Sequence, residues 1–489
     1  MKILMAASEA VPLAASGGMA DVVSALSLAL AAAGHDVRIV IPRYYHIDRK
    51  KLTKLEGPMG VSVGGHEEWC AVYTTVLTGS DADHPVQVYC IDHEQFFGRD
   101  GLYGTPSEPD FLDNPLRFTF FSRSIFQLCR KIDWYPDILH VHDWQTASAA
   151  VFLKYGERQG PFAGTHSVLT IHNIGYQGIY SKNNYYYTNL DWNVFWDAGF
   201  ADGNMMNLLK AGICSADRIN TVSPTYAAET MTPAYGYRLD GVLRNRSNDY
   251  SGILNGIDGN VWNPATDTFI PSHYSRETIS KKWANKAALQ EKFSLPVDPE
   301  IPLIGMVTRL AEQKGVGELF GPAYGSAWSI CRDMNLQLLI LGKGELWCEE
   351  ELRSLSSRLP NFRACIAFDR SCEHLIQAGS DFLLMPSRYE PCGLAQIYAL
   401  VYGTIPIVRN TGGLHDTVEN FDQNAGTGTG FMFDDLTPSA IYNTVGWANW
   451  AYYNRREQIE SMRLIGMEKD FSWSKSAGEY LKLYEGIWS

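Results

Sequence analysis

The chain has 489 residues, enough for two to four domains of about 100–200 residues each. Its composition, 45% hydrophobic and 19% charged, is that of an ordinary globular protein and argues against disorder. The net charge of −13, from 41 basic and 54 acidic side chains, argues against nucleic acid and anionic membranes as partners, so an anionic small substrate needs a local basic site.

The first element is a short apolar strand, Lys2–Ala7, too short to be the apolar core of a signal peptide. A glycine-bearing loop follows, then an Ala/Leu-rich helix from about Ala20 to Gly34, then a strand at Asp36–Pro42. Strand, loop, helix and strand in that order form the unit of a parallel sheet. Further strands are expected at Val86–Asp92, Asp137–Asp143, Ser167–Asn173, Arg218–Ser223 and Ser251–Asn255, with helices at Pro115–Ile132 and Met205–Ala216. Continuous runs of Val, Ile and Leu indicate strands covered on both faces. After a polar stretch over residues 256–300, a second series begins, with strands at Ile301–Thr308, Asn335–Gly342, Phe362–Phe368, Asp381–Ser387 and Ile405–Arg409. Glu419–Thr429 reads as a mobile polar loop, and a last helix spans about Ser476–Ile487. Two such series predict an α/β protein of two doubly wound parallel-sheet domains, with ligands beyond the C-terminal strand ends.

The chemically suggestive residues fall just there. Gly17 and Gly18 precede the first helix with Asp21, where bare backbone and a helix N-terminus suit an anionic group, although a plain tight turn explains them equally well. The loop is not G-x-G-x-x-G, which counts against a nicotinamide cofactor. His140 and His142 share one strand face, but no third ligand stands at metal spacing, so zinc is rejected. Asp143 follows at the strand end. His172 and Asn173 end another strand and offer donors and acceptors to sugar hydroxyls, the alternative being a satisfied buried histidine. Arg309 and Lys314, in a loop entering a helix, form a candidate diphosphate clamp. Glu390, ahead of Cys392-Gly393-Leu394, reads either as a sugar-orienting carboxylate or as an ordinary first-turn acid. Thr411 and Gly412 repeat the strand-to-glycine-to-helix pattern after Arg409. No G-x-S-x-G elbow or Ser-His-Asp order is present, so hydrolase chemistry is not indicated. The nine cysteines lack C-x-x-C spacing and are odd in number, which points to a reduced, cytoplasmic protein; no stretch is long enough to span a bilayer.

These motifs, in this order, resemble the bacterial glycogen synthase and plant starch synthase family over nearly the whole chain. The resemblance rests on SGGMADV at 16–22, HVHDW at 140–144, TIHNIGYQG at 170–178, KAGICSADRINTVSPTYA at 210–227, GILNGID at 252–258, TRLAEQKG at 308–315 and SRYEPCGLAQIYALVYGTIPIVRNTGGLHDTV at 387–418. It implies a GT-B fold, two Rossmann-like domains around a deep interdomain cleft. The expected division is an N-terminal, acceptor-side domain of residues 1–252 with the C-terminal helix of 470–489 packed back on it, and a nucleotide-sugar-binding domain of 253–469. It implies net retention, ADP-glucose as donor and an α-1,4-glucan as acceptor, while the sequence itself demands no metal and no cofactor.

By the same resemblance Arg309 and Lys314 hold the distal phosphate, and Glu390 binds glucose hydroxyls beside the amides of Cys392, Gly393 and Leu394. Asp143, His172, Asn173 and Asn255 line the sugar pocket, Gly17, Gly18 and Asp21 close over donor and diphosphate, and Phe368 lies against the nucleobase. Thr411 and Gly412 complete the substrate-binding set. Two positions depart from the family pattern. The lysine of Lys-x-Gly-Gly is Ala15, and the threonine of Cys-Gly-Leu-Thr is Ala395. They motivate one alternative, a glucan-binding or regulatory protein without transfer; a GT-B enzyme using another donor such as UDP-glucose is a second.

Overall fold

A computed structural model describes residues 1–488. The chain divides into two compact units, one of Met1–Gly256 together with the C-terminal segment from Trp473, the other of Ile257–Ser472. The crossings lie a few residues beyond 252/253 and 469/470 for a local reason. Ser476 Oγ donates to the Leu254 carbonyl at 2.7 Å inside the first unit. Ile257 N–H donates to the Phe471 carbonyl at 2.8 Å inside the second.

The strands of the first unit are, in chain order, β1 (Lys2–Ala6), β2 (Asp36–Pro42), β3 (Thr53–Lys54), β4 (Met59–Val63), β5 (His66–Val76), β6 (Gln87–Asp92), β7 (Ile138–His142), β8 (His166–Ile171), β9 (Ile179–Ser181), β10 (Ala201–Asp202), β11 (Met205–Asn207), β12 (Arg218–Thr221) and β13 (Tyr250–Gly252). The main sheet runs β13-β12-β8-β7-β1-β2-β6-β5-β3, with β4 paired to β5. From β13 to β6 every pairing is parallel; β5 then runs antiparallel to β6 and to both β3 and β4. The central strands are buried on both faces, as their unbroken apolar runs require: in β1 only Lys2 is exposed, and β7 is buried throughout. The helix Trp473–Glu485 packs against the Gly18–Ala32 helix. Its buried Tyr484 hydroxyl pairs with His140 Nδ1 at 2.8 Å, and Tyr480 accepts from Asn220 Nδ2 at 3.1 Å.

The second unit holds β14 (Leu303–Leu310), β15 (Gln337–Gly344), β16 (Phe362–Cys365), β17 (Phe382–Met385), β18 (Ile405–Arg409) and β19 (Phe431–Phe433). They form one parallel sheet in the order β16-β15-β14-β17-β18-β19. Numbered by appearance within the unit this is 3-2-1-4-5-6, the dinucleotide-fold order. Apolar side chains cover both faces, Phe320, Ile330 and Val445 belonging to one cluster and Leu289, Ile376 and Leu414 to the other.

Several elements differ from the sequence reading. The strand expected over Phe362–Phe368 ends at Cys365, and Met205–Asn207 pairs as β11 before a helix at Leu208–Ser215. The stretch over residues 256–300 carries the Lys282–Lys292 helix, whose polar Lys282, Asn285 and Gln290 are buried by bonding to backbone carbonyls rather than by hydrophobicity. Glu419–Thr429 is a tied turn. Phe421 is buried, and Asp422 accepts from the Asn424 and Ala425 N–H groups at 2.8 and 3.1 Å.

Candidate active site

In the second unit β14 and β17 are neighbours whose chains continue to opposite sides of the sheet, which makes their C-terminal ends the topological switch point. The segment after β14 turns through Glu312–Lys314 and reaches Gly315, which has φ +71°. A β-carbon there would lie 1.9 Å from the Pro386 carbonyl oxygen, so only glycine lets this turn sit against the segment leaving β17. That contact brings Lys314 to Glu390. The Nζ···Oε2 distance is 2.5 Å, and Ser387 Oγ–H donates to the same carboxylate oxygen at 3.0 Å. Arg309 sits in β14 itself, exposed, donating to Gln313 Oε1 at 3.4 Å. The two cations therefore occupy a strand end and a short turn rather than one helix-entry loop, and the helix that follows, Val316–Phe320, has only five residues.

Glu390 is not a first-turn acid, because the next helix starts at Ala395. Pro391 disfavours helical backbone at the residue before it, and Gly393 takes φ +70°. The Gln396 side chain donates to the Cys392 and Gly393 carbonyls at 2.9 and 3.2 Å, fixing the Cys392-Gly393-Leu394 loop. A second close approach joins this loop to the end of β18. Gly413 N–H donates to the Glu390 carbonyl at 3.0 Å, and a β-carbon on Gly413 would lie 2.0 Å from the Cys392 oxygen. Thr411 and Gly412, both buried, open the adjoining Gly412–Thr417 helix. Phe368 is 77% exposed between β16 and the Arg370–Gly379 helix, an aromatic face turned to solvent. The structure thus gathers Lys314, Glu390, Cys392, Gly393 and Gly412 around one switch point, with Arg309 on the same strand end.

In the first unit the loop after β1 is held by Glu9, which the sequence reading did not single out. This buried carboxylate accepts from the Ser16 N–H and hydroxyl and from the Tyr103 hydroxyl. Gly17 caps the Gly18–Ala32 helix, Asp21 lies exposed in its first turn, and β-carbons built at Gly17 or Gly18 meet nothing within 4 Å.

Asp143 leaves β7 with φ +53° and begins a helix, so strand alternation does not set its direction. Its carboxylate accepts the His172 backbone N–H at 2.7 Å, and burial pushes its pKa up to about 7. His172 Nε2 lies 3.0 Å from His142 Nδ1. Burial pushes His140 and His172 down to about 3 and His142 well below the ordinary imidazole range, so all three rings are neutral. Asn173 Oδ1 accepts from the Gly175 N–H at 2.9 Å. Asn255 is buried, and its Oδ1 has no hydrogen-bond partner among the described residues. Among the described residues no group of His, Cys, Asp or Glu is arranged to hold a metal ion, and no helix is long and apolar enough to cross a membrane.

The architecture is that of solved glycosyltransferases. The catalytic domain of starch synthase IV from Arabidopsis thaliana, bound to ADP and acarbose, superposes with a TM-score of 0.88 at 30% identity, covering 99% of each chain. Sucrose-phosphate synthase from Thermosynechococcus elongatus shares the fold at TM-score 0.59 and 16% identity, with 100% of this chain and 99% of that one covered. The protein is therefore a glycosyltransferase of the GT-B class. A starch synthase catalytic domain profile matches residues 2–245, and a glycosyl transferases group 1 profile matches 288–448. Glycogen synthase of Treponema denticola is 53% identical, covering 99% of this chain and 98% of its own, and that of Bacillus subtilis is 39% identical, covering 100% and 98%. The chain belongs to the glycogen synthase and starch synthase family.

Proposed function

We propose that this enzyme transfers glucose, with retention, from ADP-glucose to the non-reducing end of an α-1,4-glucan, and that it does so in the cytoplasm. The observation that carries the reading is the Lys314–Glu390 pair at the switch point, with Arg309 at the end of β14: a cation suited to an anion next to a carboxylate suited to sugar hydroxyls. The starch synthase found with ADP and a glucan mimic, and relatives named as glycogen synthases, support the same donor and acceptor.

Arg309 and Lys314 receive the distal phosphate and neutralise it as it departs. The Cys392–Leu394 amides lie alongside, with Thr411 and Gly412 behind them. Glu390 orients glucose hydroxyls, and Phe368 stacks on the base. Asp143, His172, Asn173 and Asn255 bind the sugar; the unmet Asn255 Oδ1 suits a hydroxyl donor. The backbone at Gly17 and Gly18, with Asp21, approaches the diphosphate. The anomeric C–O bond to the diphosphate breaks and the acceptor hydroxyl attacks on the same face. Its proton passes to the departing phosphate oxygen.

Ala15 is exposed and Ala395 is the first residue of its helix, so neither replaces the family's cation or hydroxyl. These two positions favour the second reading, glucan binding without transfer. The test is transfer of labelled glucose from ADP-glucose to glycogen by the native chain, by Arg309→Ala and by Ala15→Lys. Native transfer that falls steeply in Arg309→Ala supports the proposal. Transfer restored only by Ala15→Lys means the native chain has lost turnover, and silence in both with glycogen binding intact establishes the second reading.

A further inference from the structure

Three histidine rings stand in a row in the first unit. His140 and His142 stack with centroids 4.3 Å apart, and His142 and His172 with centroids 5.3 Å apart. Since all three are neutral, each carries one ring proton, and the hydrogen-bond pattern says which nitrogen holds it. Thr170 spends its only hydroxyl proton on Asn220 Oδ1 at 2.7 Å. His140 Nε2, 2.6 Å from the same Thr170 oxygen, must then be the donor, which leaves His140 Nδ1 to accept from the Tyr484 hydroxyl.

His142 is resolved by what it lacks. Its Nδ1 is 3.0 Å from His172 Nε2, and its Nε2 is buried with no hydrogen-bond partner among the described residues. If His142 carried its proton on Nε2, a buried N–H would be orphaned. If it carries it on Nδ1, only a lone pair goes unmet. Orphaned buried N–H groups are the rarer and costlier of the two. His142 Nδ1–H therefore donates to His172 Nε2, and His172 must hold its own proton on Nδ1. That nitrogen has no protein partner among the described residues, and His172 is partly open to solvent.

We propose that His142 is a positioning residue that locks His172 in the Nδ1–H tautomer, so that His172 meets the sugar as a hydrogen-bond donor to a hydroxyl oxygen and not as an acceptor. The tautomer follows from the first unit alone; its use on a sugar rests on the function proposed above. A partner that fixes the ring also fixes the sense of the bond. A hydroxyl approaching His172 has to turn its lone pair toward the ring and its proton elsewhere.

The experiment is two-bond proton–nitrogen correlation NMR on full-length protein carrying nitrogen-15 histidine, with His172 assigned by His172→Gln. The wild-type protein should show His172 protonated at Nδ1 and bare at Nε2, and His142 protonated at Nδ1. In His142→Leu the partner is gone, and His172 should shift toward the Nε2–H form. His142→Asn, whose amide N–H occupies the place of Nδ1–H, should retain the native tautomer. Glucose transfer should follow the spectrum, with kcat/KM down about 3- to 10-fold in His142→Leu and largely recovered in His142→Asn. An Nε2–H tautomer at His172 in the wild type overturns the proposal, and this spectrum decides it even if the leucine variant does not fold. So does an unchanged His172 tautomer in His142→Leu. A native Nδ1–H spectrum in a protein that transfers no glucose removes the functional reading and leaves the tautomer assignment standing.

Discussion

Replacing Lys314 by Met separates what its ion pair does for folding from what its charge does for transfer. Glu390 and Lys314 side chains are 7% and 17% exposed. Removing one member of a buried pair costs about 3–5 kcal/mol, because the other charge stays behind uncompensated, whereas an exposed pair is worth about 0–1 kcal/mol. The residual exposure of Lys314, and the Ser387 hydroxyl that still donates to Glu390, place the expected loss at about 2–3 kcal/mol. Adding Glu390→Gln removes the stranded charge and should return most of that stability. Activity should not follow. Loss of a cation at the departing phosphate costs about 2.7–4 kcal/mol in the barrier, roughly a hundred- to a thousand-fold in kcat, and the second substitution cannot restore it. Urea unfolding followed by tryptophan fluorescence gives the first quantity, and labelled-glucose transfer gives the second. An unchanged unfolding midpoint in Lys314→Met would refute the coupling argued from the pair. Near-native kcat in the same variant would refute the role of its charge.

Asp143→Asn should stabilise the protein with a pH signature. Burial raises the folded pKa of Asp143 to about 7 from an ordinary carboxylate value, so the folded state binds the proton more tightly and wild-type stability falls as pH rises toward 7. The neutral amide escapes this cost, keeps an oxygen for the His172 N–H, and tolerates the left-handed φ. The variant's advantage should therefore be near zero at pH 4 and a few kcal/mol at pH 8 by urea unfolding, with transfer reduced; a difference independent of pH refutes the burial argument. Gly315→Ala should destabilise by more than the about 1–2 kcal/mol of a left-handed alanine alone, because the new methyl meets the Pro386 carbonyl; unfolding midpoints within error of wild type contradict that clash. Phe368→Ala, at an exposed position, should leave stability within about 0.5 kcal/mol and weaken ADP binding by about 1–3 kcal/mol by calorimetry; unchanged ADP affinity removes it from the base site.

The parallel strands were legible because burial on both faces leaves an unbroken apolar run, as in Ile3–Ala6 and Leu338–Leu341. β5 was not. Its residues alternate between buried Cys70 and Val72 and more exposed neighbours such as Trp69, and one wet face dilutes the apolar signal. The candidate cations and Glu390 were visible as residues, but their pairing was not, since it depends on Gly315 admitting the Pro386 carbonyl across 71 positions of chain. Glu9 carried no signal at all, being a lone acid whose partners at Ser16 and Tyr103 only folding assembles. The Lys282–Lys292 helix was hidden by its polar buried side chains, which read as solvent-facing until their carbonyl acceptors are seen.

The order in which the ribosome delivers this chain does not match the order of its units. Residues 257–472 are contiguous and can close on themselves, while the first unit waits for the segment from Trp473. Until Tyr480 and Tyr484 emerge, Asn220 lacks one acceptor and His140 lacks the hydroxyl that satisfies Nδ1, both deep in the sheet. A nascent chain thus carries a finished second unit and an unfinished first one until Tyr480 and Tyr484 have left the ribosome, and their arrival is what completes the histidine row. A stop codon between Trp473 and Tyr484 would strike the fold of residues 1–256, far away in sequence and hidden from any survey of the N-terminal segment alone.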